Sequence, residues 1–129
     1  MLARVRLWAS RRPDVIVVEL AGFWSHGDDR MDSDVDILLL TTEKRLYLGD
    51  EAWARDLGGL RIVKTERWGS LTERPFVLPS GLEVEVGIAP PSWGATDPVD
   101  PGTRRVVEDG ISIVYDPDGL LIRLLDACP

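Results

Sequence analysis

Apolar and polar positions divide this chain into short blocks of helical or strand period. Leu2, Val5, Leu7 and Trp8 recur at roughly helical spacing within residues 1–12, and Pro13 closes that segment. The β-branched run Val15-Ile16-Val17-Val18-Glu19-Leu20 predicts a buried strand. Residues 22–27 read as a turn that continues as a short helix or turn towards Arg30. A second strand is expected over residues 36–41, and a helical turn or two over residues 50–57, closed by Gly58-Gly59. Residues 61–68 predict a further strand. Residues 73–78 and 82–88 predict two more, joined by a hairpin turn at Pro79-Ser80-Gly81. Residues 89–101, rich in Pro, Gly and Asp, predict an irregular loop. A helix with Pro near its start follows at residues 101–108, then a short strand at 111–115. The last helix, over residues 118–127, is expected to put Leu120, Leu121, Leu124 and Leu125 on one face. This order predicts an α/β (α+β) fold, a mixed sheet with helices on one side.

Length and charge narrow the function classes. At 129 residues the chain makes a single domain with a modest core. No apolar run approaches the length of a membrane span, and the start lacks the apolar core of a signal peptide, so a cytoplasmic location is the expectation. Cys128 is the only cysteine and His26 the only histidine, which leaves no intrachain disulfide, thiolate zinc cluster or His-rich metal site. Fifteen basic against 22 acidic residues give a net charge of −7. Such a surface repels phosphate backbones and argues against broad nucleic-acid binding. A small anionic substrate stays compatible where a metal masks the local charge.

The candidate chemistry is carboxylate chemistry. Asp34 and Asp36 stand at the front of Ile37-Leu38-Leu39-Leu40. At i and i+2 on a strand they share a face, roughly 7 Å apart. Two negative charges at the start of a buried strand are costly unless a cation neutralises them, and paired oxygen ligands suit Mg²⁺ and the phosphates it carries. Glu83 and Glu85 alternate with apolar residues in Leu82-Glu83-Val84-Glu85-Val86. If that strand lies beside residues 36–41, one or both glutamates join the aspartates on one face, as a two-metal site for phosphoryl or nucleotidyl transfer requires. The alternation is equally that of a half-exposed strand with a solvated face.

Other motifs fall away. Asp32, Asp34, Asp36 and Glu43 match part of a calcium loop, but Ile37 occupies the position that needs glycine. Neither a Walker-type glycine-lysine loop nor Gly-x-Gly-x-x-Gly is present. Ser25 and His26 are sequence neighbours, which seldom face each other as nucleophile and base. Trp93, among prolines, reads as a loop anchor more than a stacking platform, and Trp53 and Trp68 as core or edge packing. Arg61, Lys64 and Arg67 read as strand-surface charges.

The stretch Gly22 to Asp36, with Gly27-Asp28-Asp29-Arg30-Met31-Asp32-Ser33-Asp34-Val35-Asp36 at its heart, resembles the signature of the DNA polymerase beta-like nucleotidyltransferase superfamily. The similarity is greatest to its small bacterial minimal members, and it extends through Val84-Glu85-Val86. It covers some fifteen residues tightly; elsewhere it rests on the order of elements. The resemblance implies a nucleotidyltransferase-like fold and Mg²⁺-dependent transfer of a nucleoside monophosphate from a nucleoside triphosphate to a hydroxyl acceptor. It implies that Asp34 and Asp36 hold Mg²⁺, and that Glu85, deeper in its strand than Glu83, completes a two-metal site or acts as general base. Gly22, with Phe23 and Ser25, would lie where the triphosphate approaches the backbone.

The chain departs from the family pattern seriously at Phe23, and it also has His26 where the family has Arg before the second glycine. The family has Gly-Ser where this chain has Gly22-Phe23, so the hydroxyl that bonds the triphosphate is missing there, and Ser25 sits two residues late. The alternative is a weakened or inactive, antitoxin-like module of the same fold that pairs with a partner protein. The leucine face of the last helix either closes the core or seats a partner, a second copy or a small helical protein.

Overall fold

The two most apolar runs of the sequence lie side by side at the centre of the sheet. They form β1 (Val15–Ala21) and β2 (Val35–Thr41), antiparallel, with Glu19 opposite Leu38 and Leu20 opposite Ile37. The computed structural model describes residues 2–21, 35–96 and 98–128. Around the central strands, α1 (Leu2–Ser10) precedes β1, and α2 (Arg45–Leu48) and α3 (Ala52–Asp56) follow β2. Short strands β3 (Arg61–Ile62), β4 (Glu66–Trp68), β5 (Leu71–Glu73) and β6 (Phe76–Val77) lead into β7 (Glu83–Ala89). A 3₁₀ turn (Pro91–Gly94), α4 (Pro101–Glu108), β8 (Ile111–Tyr115) and α5 (Leu120–Ala127) follow. The mixed sheet runs β3-β6-β7-β2-β1-β8, with β5 paired to both β4 and β7. The β2–β7 pair is parallel, and the other named pairs are antiparallel.

Every residue of β2 except Asp36 is buried. Successive side chains point to opposite faces, so both faces of the sheet must be covered. Val35, Ile37 and Leu39 pack with Val5 and Ala9 of α1 and with Tyr47, Trp53 and Ala54 of α2 and α3. Leu38 and Leu40 pack on the other side with Val107 of α4 and Leu121 and Leu124 of α5. The expected one-sided arrangement is thus corrected to helices on both faces. In α5 only Leu121 and Leu124 are fully buried, while Leu125 is 37% exposed, so the four leucines do not share one buried face.

The strands expected over residues 61–68 and 73–78 are each broken in two. Pro75 has no N–H for a ladder. At the break, the Arg74 N–H donates to the Val86 carbonyl at 2.9 Å and the Val63 N–H to the Pro75 carbonyl at 2.8 Å. The Arg74 guanidinium turns inward, where the residue is 8% exposed. It donates to the carbonyls of Tyr47 (2.6 Å) and Asp50 (3.0 Å) and to Thr65 Oγ1 (3.0 Å). The turn at Pro79-Ser80-Gly81 forms as expected, with Gly81 at φ +91 and Leu78 donating to the Leu82 carbonyl.

Edge-to-face contacts link Trp8, Tyr47, Trp53 and Phe76, with ring centroids 6.2, 5.8 and 6.1 Å apart. Within this row the Tyr47 hydroxyl donates to Asp14 Oδ2 (2.5 Å), which also accepts from Thr41 Oγ1 (2.8 Å). At the Phe76 end Gly59 leaves no room for a side chain. A Cβ there would lie 2.6 Å from Phe76 Cδ1 and 3.0 Å from the Ala54 carbonyl. We expect Gly59→Ala to lower stability by about 1–3 kcal/mol, because a buried ring and a backbone group must both shift. Urea unfolding followed by tryptophan fluorescence reads this as a lower midpoint at unchanged slope.

Candidate functional site

The site is built from the apolar register of two strands. Burial of Val35, Ile37, Val84 and Val86 on one face turns the intervening residues to the other. The parallel ladder then sets Asp36 directly opposite Glu85, between the pairs Val35–Val84 and Ile37–Val86. Strands so paired lie about 4.8 Å apart, so the two carboxylates rise from adjacent backbone positions on one surface. Asp36 is exposed and Glu85 half-buried. Glu83 shares that face but stands opposite Val77 of β6. Of the two glutamates in this strand, register makes Glu85 the neighbour of Asp36.

The same face carries further charge. Glu73 of β5 lies opposite Gly87, and Glu66 of β4 lies opposite Glu73. Lys64 is the cation within this group, with Nζ 2.7 Å from Glu66 Oε1. Its ammonium is held above the ordinary lysine range by the hydrogen bond to Glu66, then by the charges of Glu66, Glu85 and Glu73. Among the described residues the surface beside Asp36 and Glu85 thus carries further acids with Lys64 at its side, and clustered carboxylates attract divalent cations.

The sequence alone did not mark Glu19. It lies in β1 opposite Leu38, on the face that carries Asp36, and diagonal neighbours of this kind are roughly 7–8 Å apart. It is fully buried, and among the described residues neither carboxylate oxygen has a hydrogen-bond partner. Burial first, and the nearby Asp116 carboxylate second, push its pKa up to about 8. Asp116 accepts from the N–H groups of Leu120 (2.9 Å) and Leu121 (3.0 Å), and so caps α5. The one sequence signal was a lone acid inside the apolar strand run.

Of the expected site residues, Asp36 and Glu85 are brought together; Asp34, Gly22, Phe23 and Ser25 lie outside the described residues, as does His26. Among the described residues no group of three or more His, Cys, Asp or Glu side chains stands close enough to hold a metal ion. Asp36 and Glu85 present hard oxygen donors side by side, which suits Mg²⁺. Trp93 is held by its backbone, its carbonyl accepting from Thr103 Oγ1 at 2.8 Å. Trp53 is buried in the core, whereas Trp68 is 60% exposed. No helix among the described residues is long and apolar enough to cross a membrane. Comparison with known proteins finds no family model that matches the chain, and no curated protein that matches it.

Proposed function

We propose that this chain is a Mg²⁺-dependent nucleotidyltransferase that moves a nucleoside monophosphate from a nucleoside triphosphate to a hydroxyl acceptor. The observation that carries the reading is the Asp36–Glu85 pairing: two acids far apart in sequence meet as register partners on one sheet face. With Asp34 they would make the three-carboxylate set that holds metal for in-line attack on the α-phosphorus. Bound Mg²⁺ would neutralise the triphosphate and polarise the reacting oxygens. Asp36 and Glu85 would orient the ion, and Glu85 would accept the acceptor hydroxyl's proton. Lys64, whose charge interacts with that of Glu85, would meet phosphate charge at the edge of the same surface.

Calorimetric titration with each nucleoside triphosphate, with and without Mg²⁺, tests the reading. We expect metal-dependent binding that Asp34→Ala/Asp36→Ala abolishes, and turnover that Asp36→Ala removes. Retention of full Mg²⁺-dependent binding by the double variant would refute it.

Phe23 supports a second reading, in which the fold binds a partner protein and does not turn over, because the family hydroxyl is missing there. Under that reading no triphosphate binds with or without Mg²⁺.

A further inference from the structure

We infer that the hollow between the β4–β5 hairpin and the start of α4 is a binding site for an amino-substituted heteroaromatic ring, the base of an adenine nucleoside, stacked between Trp68 and Trp93. Strand register brings the walls of this hollow together. Trp68 pairs with Leu71, and Glu73 with Gly87. Side chains two apart on a strand share a face, so Trp68 and Leu71 stand on the face that carries Glu85. Leu71 lies over the bare Gly87, where a Cβ would be 3.0 Å from its Cδ1. Beside Leu71 a cavity of about 380 Å³ opens. It is bounded by Trp68 and Ser70 of the hairpin, by Ser92 and Trp93 of the 3₁₀ turn, and by the first turn of α4 with its cap Asp100. Such a volume falls in the range of small-molecule sites.

The two tryptophans are held differently, and the difference points to a ligand. Trp93 packs against the core cluster that includes Leu40 and Leu121, and its carbonyl accepts from Thr103 Oγ1 at 2.8 Å. Trp68 is 60% exposed, the most of any large apolar side chain among the described residues, and it belongs to neither core cluster. Its hairpin is nonetheless fixed, by Gly69 at φ +64 and by Lys44 Nζ, which donates to the Ser70 carbonyl at 2.6 Å. A flat ring between the indoles would cover apolar surface on both sides and stack through its π-faces, as every nucleobase can. Asp100 selects among flat rings. The N–H groups of Gly102 and Thr103 both donate to its Oδ2, at 2.9 and 3.2 Å, which leaves Oδ1 to accept from a donor on the ligand. A carboxylate only accepts, so it disfavours an anionic ring and favours one with an exocyclic amine. The site uses neither Asp36 nor Glu85 and needs no metal, so it goes beyond the proposed transfer.

The test titrates the full chain, ¹⁵N-labelled and without Mg²⁺, with adenosine and with purine riboside, which lacks the amine. Trp68→Phe and Trp93→Phe identify the two indole N–H signals. The expected result is that adenosine shifts both and leaves the signal of the buried Trp53 unmoved. Trp68→Ala is expected to weaken binding roughly tenfold, at an unchanged urea midpoint because the side chain is mostly exposed. Asp100→Asn keeps an oxygen for the cap but turns the second acceptor into a donor, and is expected to erase the preference for adenosine over purine riboside. Three outcomes would overturn the proposal: no shift of either indole at millimolar adenosine, equal binding by Trp68→Ala, or equal binding of purine riboside by the wild type. A triphosphate that binds with Mg²⁺ while adenosine shifts neither indole would sink this site and leave the proposed transfer standing. Adenosine binding with no Mg²⁺-dependent triphosphate binding would do the reverse.

Discussion

Glu19→Gln is expected to flatten the pH dependence of stability and to make the protein more stable than wild type above pH 8. Glu19 is fully buried with no hydrogen-bond partner among the described residues, and its pKa stands at about 8 against an unperturbed 4.5. Between those values the folded chain binds a proton that the unfolded chain has released. The stability of the protonated carboxyl is therefore fully present below about pH 4.5 and is lost as pH rises through about 8. One such group gives a slope approaching 1.4 kcal/mol per pH unit within that window. The accumulated loss is of order several kcal/mol, a large share of a small domain's stability. Glutamine keeps the shape and cannot ionise. Urea unfolding of wild type and variant at intervals from pH 5 to 9 measures the effect; parallel curves would show that Glu19 does not titrate in the folded state. Asp116→Asn is expected to lower the Glu19 pKa while weakening the cap of α5, separating the effect of the neighbouring charge from that of burial.

Arg74→Met carries the second large effect, an expected loss of about 3 kcal/mol or more. The guanidinium ties the ends of α2 and α3 to the break between β5 and β6 through two backbone carbonyls and Thr65. Methionine fills similar space but leaves those buried acceptors unpaired, and hydrogen bonds from a charged donor contribute about 1.5–3 kcal/mol each. Lysine reaches one carbonyl at a time, so Arg74→Lys is expected to recover part of the loss. The urea midpoints of the three proteins should rank arginine, lysine, methionine. Equal midpoints for wild type and Arg74→Met would show that water satisfies the carbonyls as well as the guanidinium does.

These two residues show where sequence reading stops. The central strands, the Gly81 turn, α4 and β8 were legible because each rests on local pattern: β-branched runs, a turn glycine, proline near a helix start. The structure adds the cap of α4, Asp100, which accepts from the N–H groups of Gly102 and Thr103. The neighbourhood of Asp36 and Glu85 was legible only conditionally, since the alternation in residues 83–86 does not say which strand lies beside it. Glu19 and Arg74 were invisible for the same physical reason. Their roles come from what tertiary packing puts around them, and nothing in the flanking residues distinguishes a buried acid or arginine from a surface one. The broken strands were missed because their pairing partner changes part-way along, from β4 and β7 for β5 to β3 and β7 for β6.

The parallel pairing of β2 with β7 has a consequence for how the protein is made. Parallel neighbours need a long crossover, and here that crossover contains α2, α3 and β3 to β6. Contacts so distant in sequence form late and slowly, because the intervening loop must close before they return any stabilisation. A ribosome-bound chain that has released β1 and β2 still lacks the facing carboxylate. Asp36 thus meets Glu85 only after β7 has emerged, so the acidic surface arises with the completed sheet and not with its first hairpin.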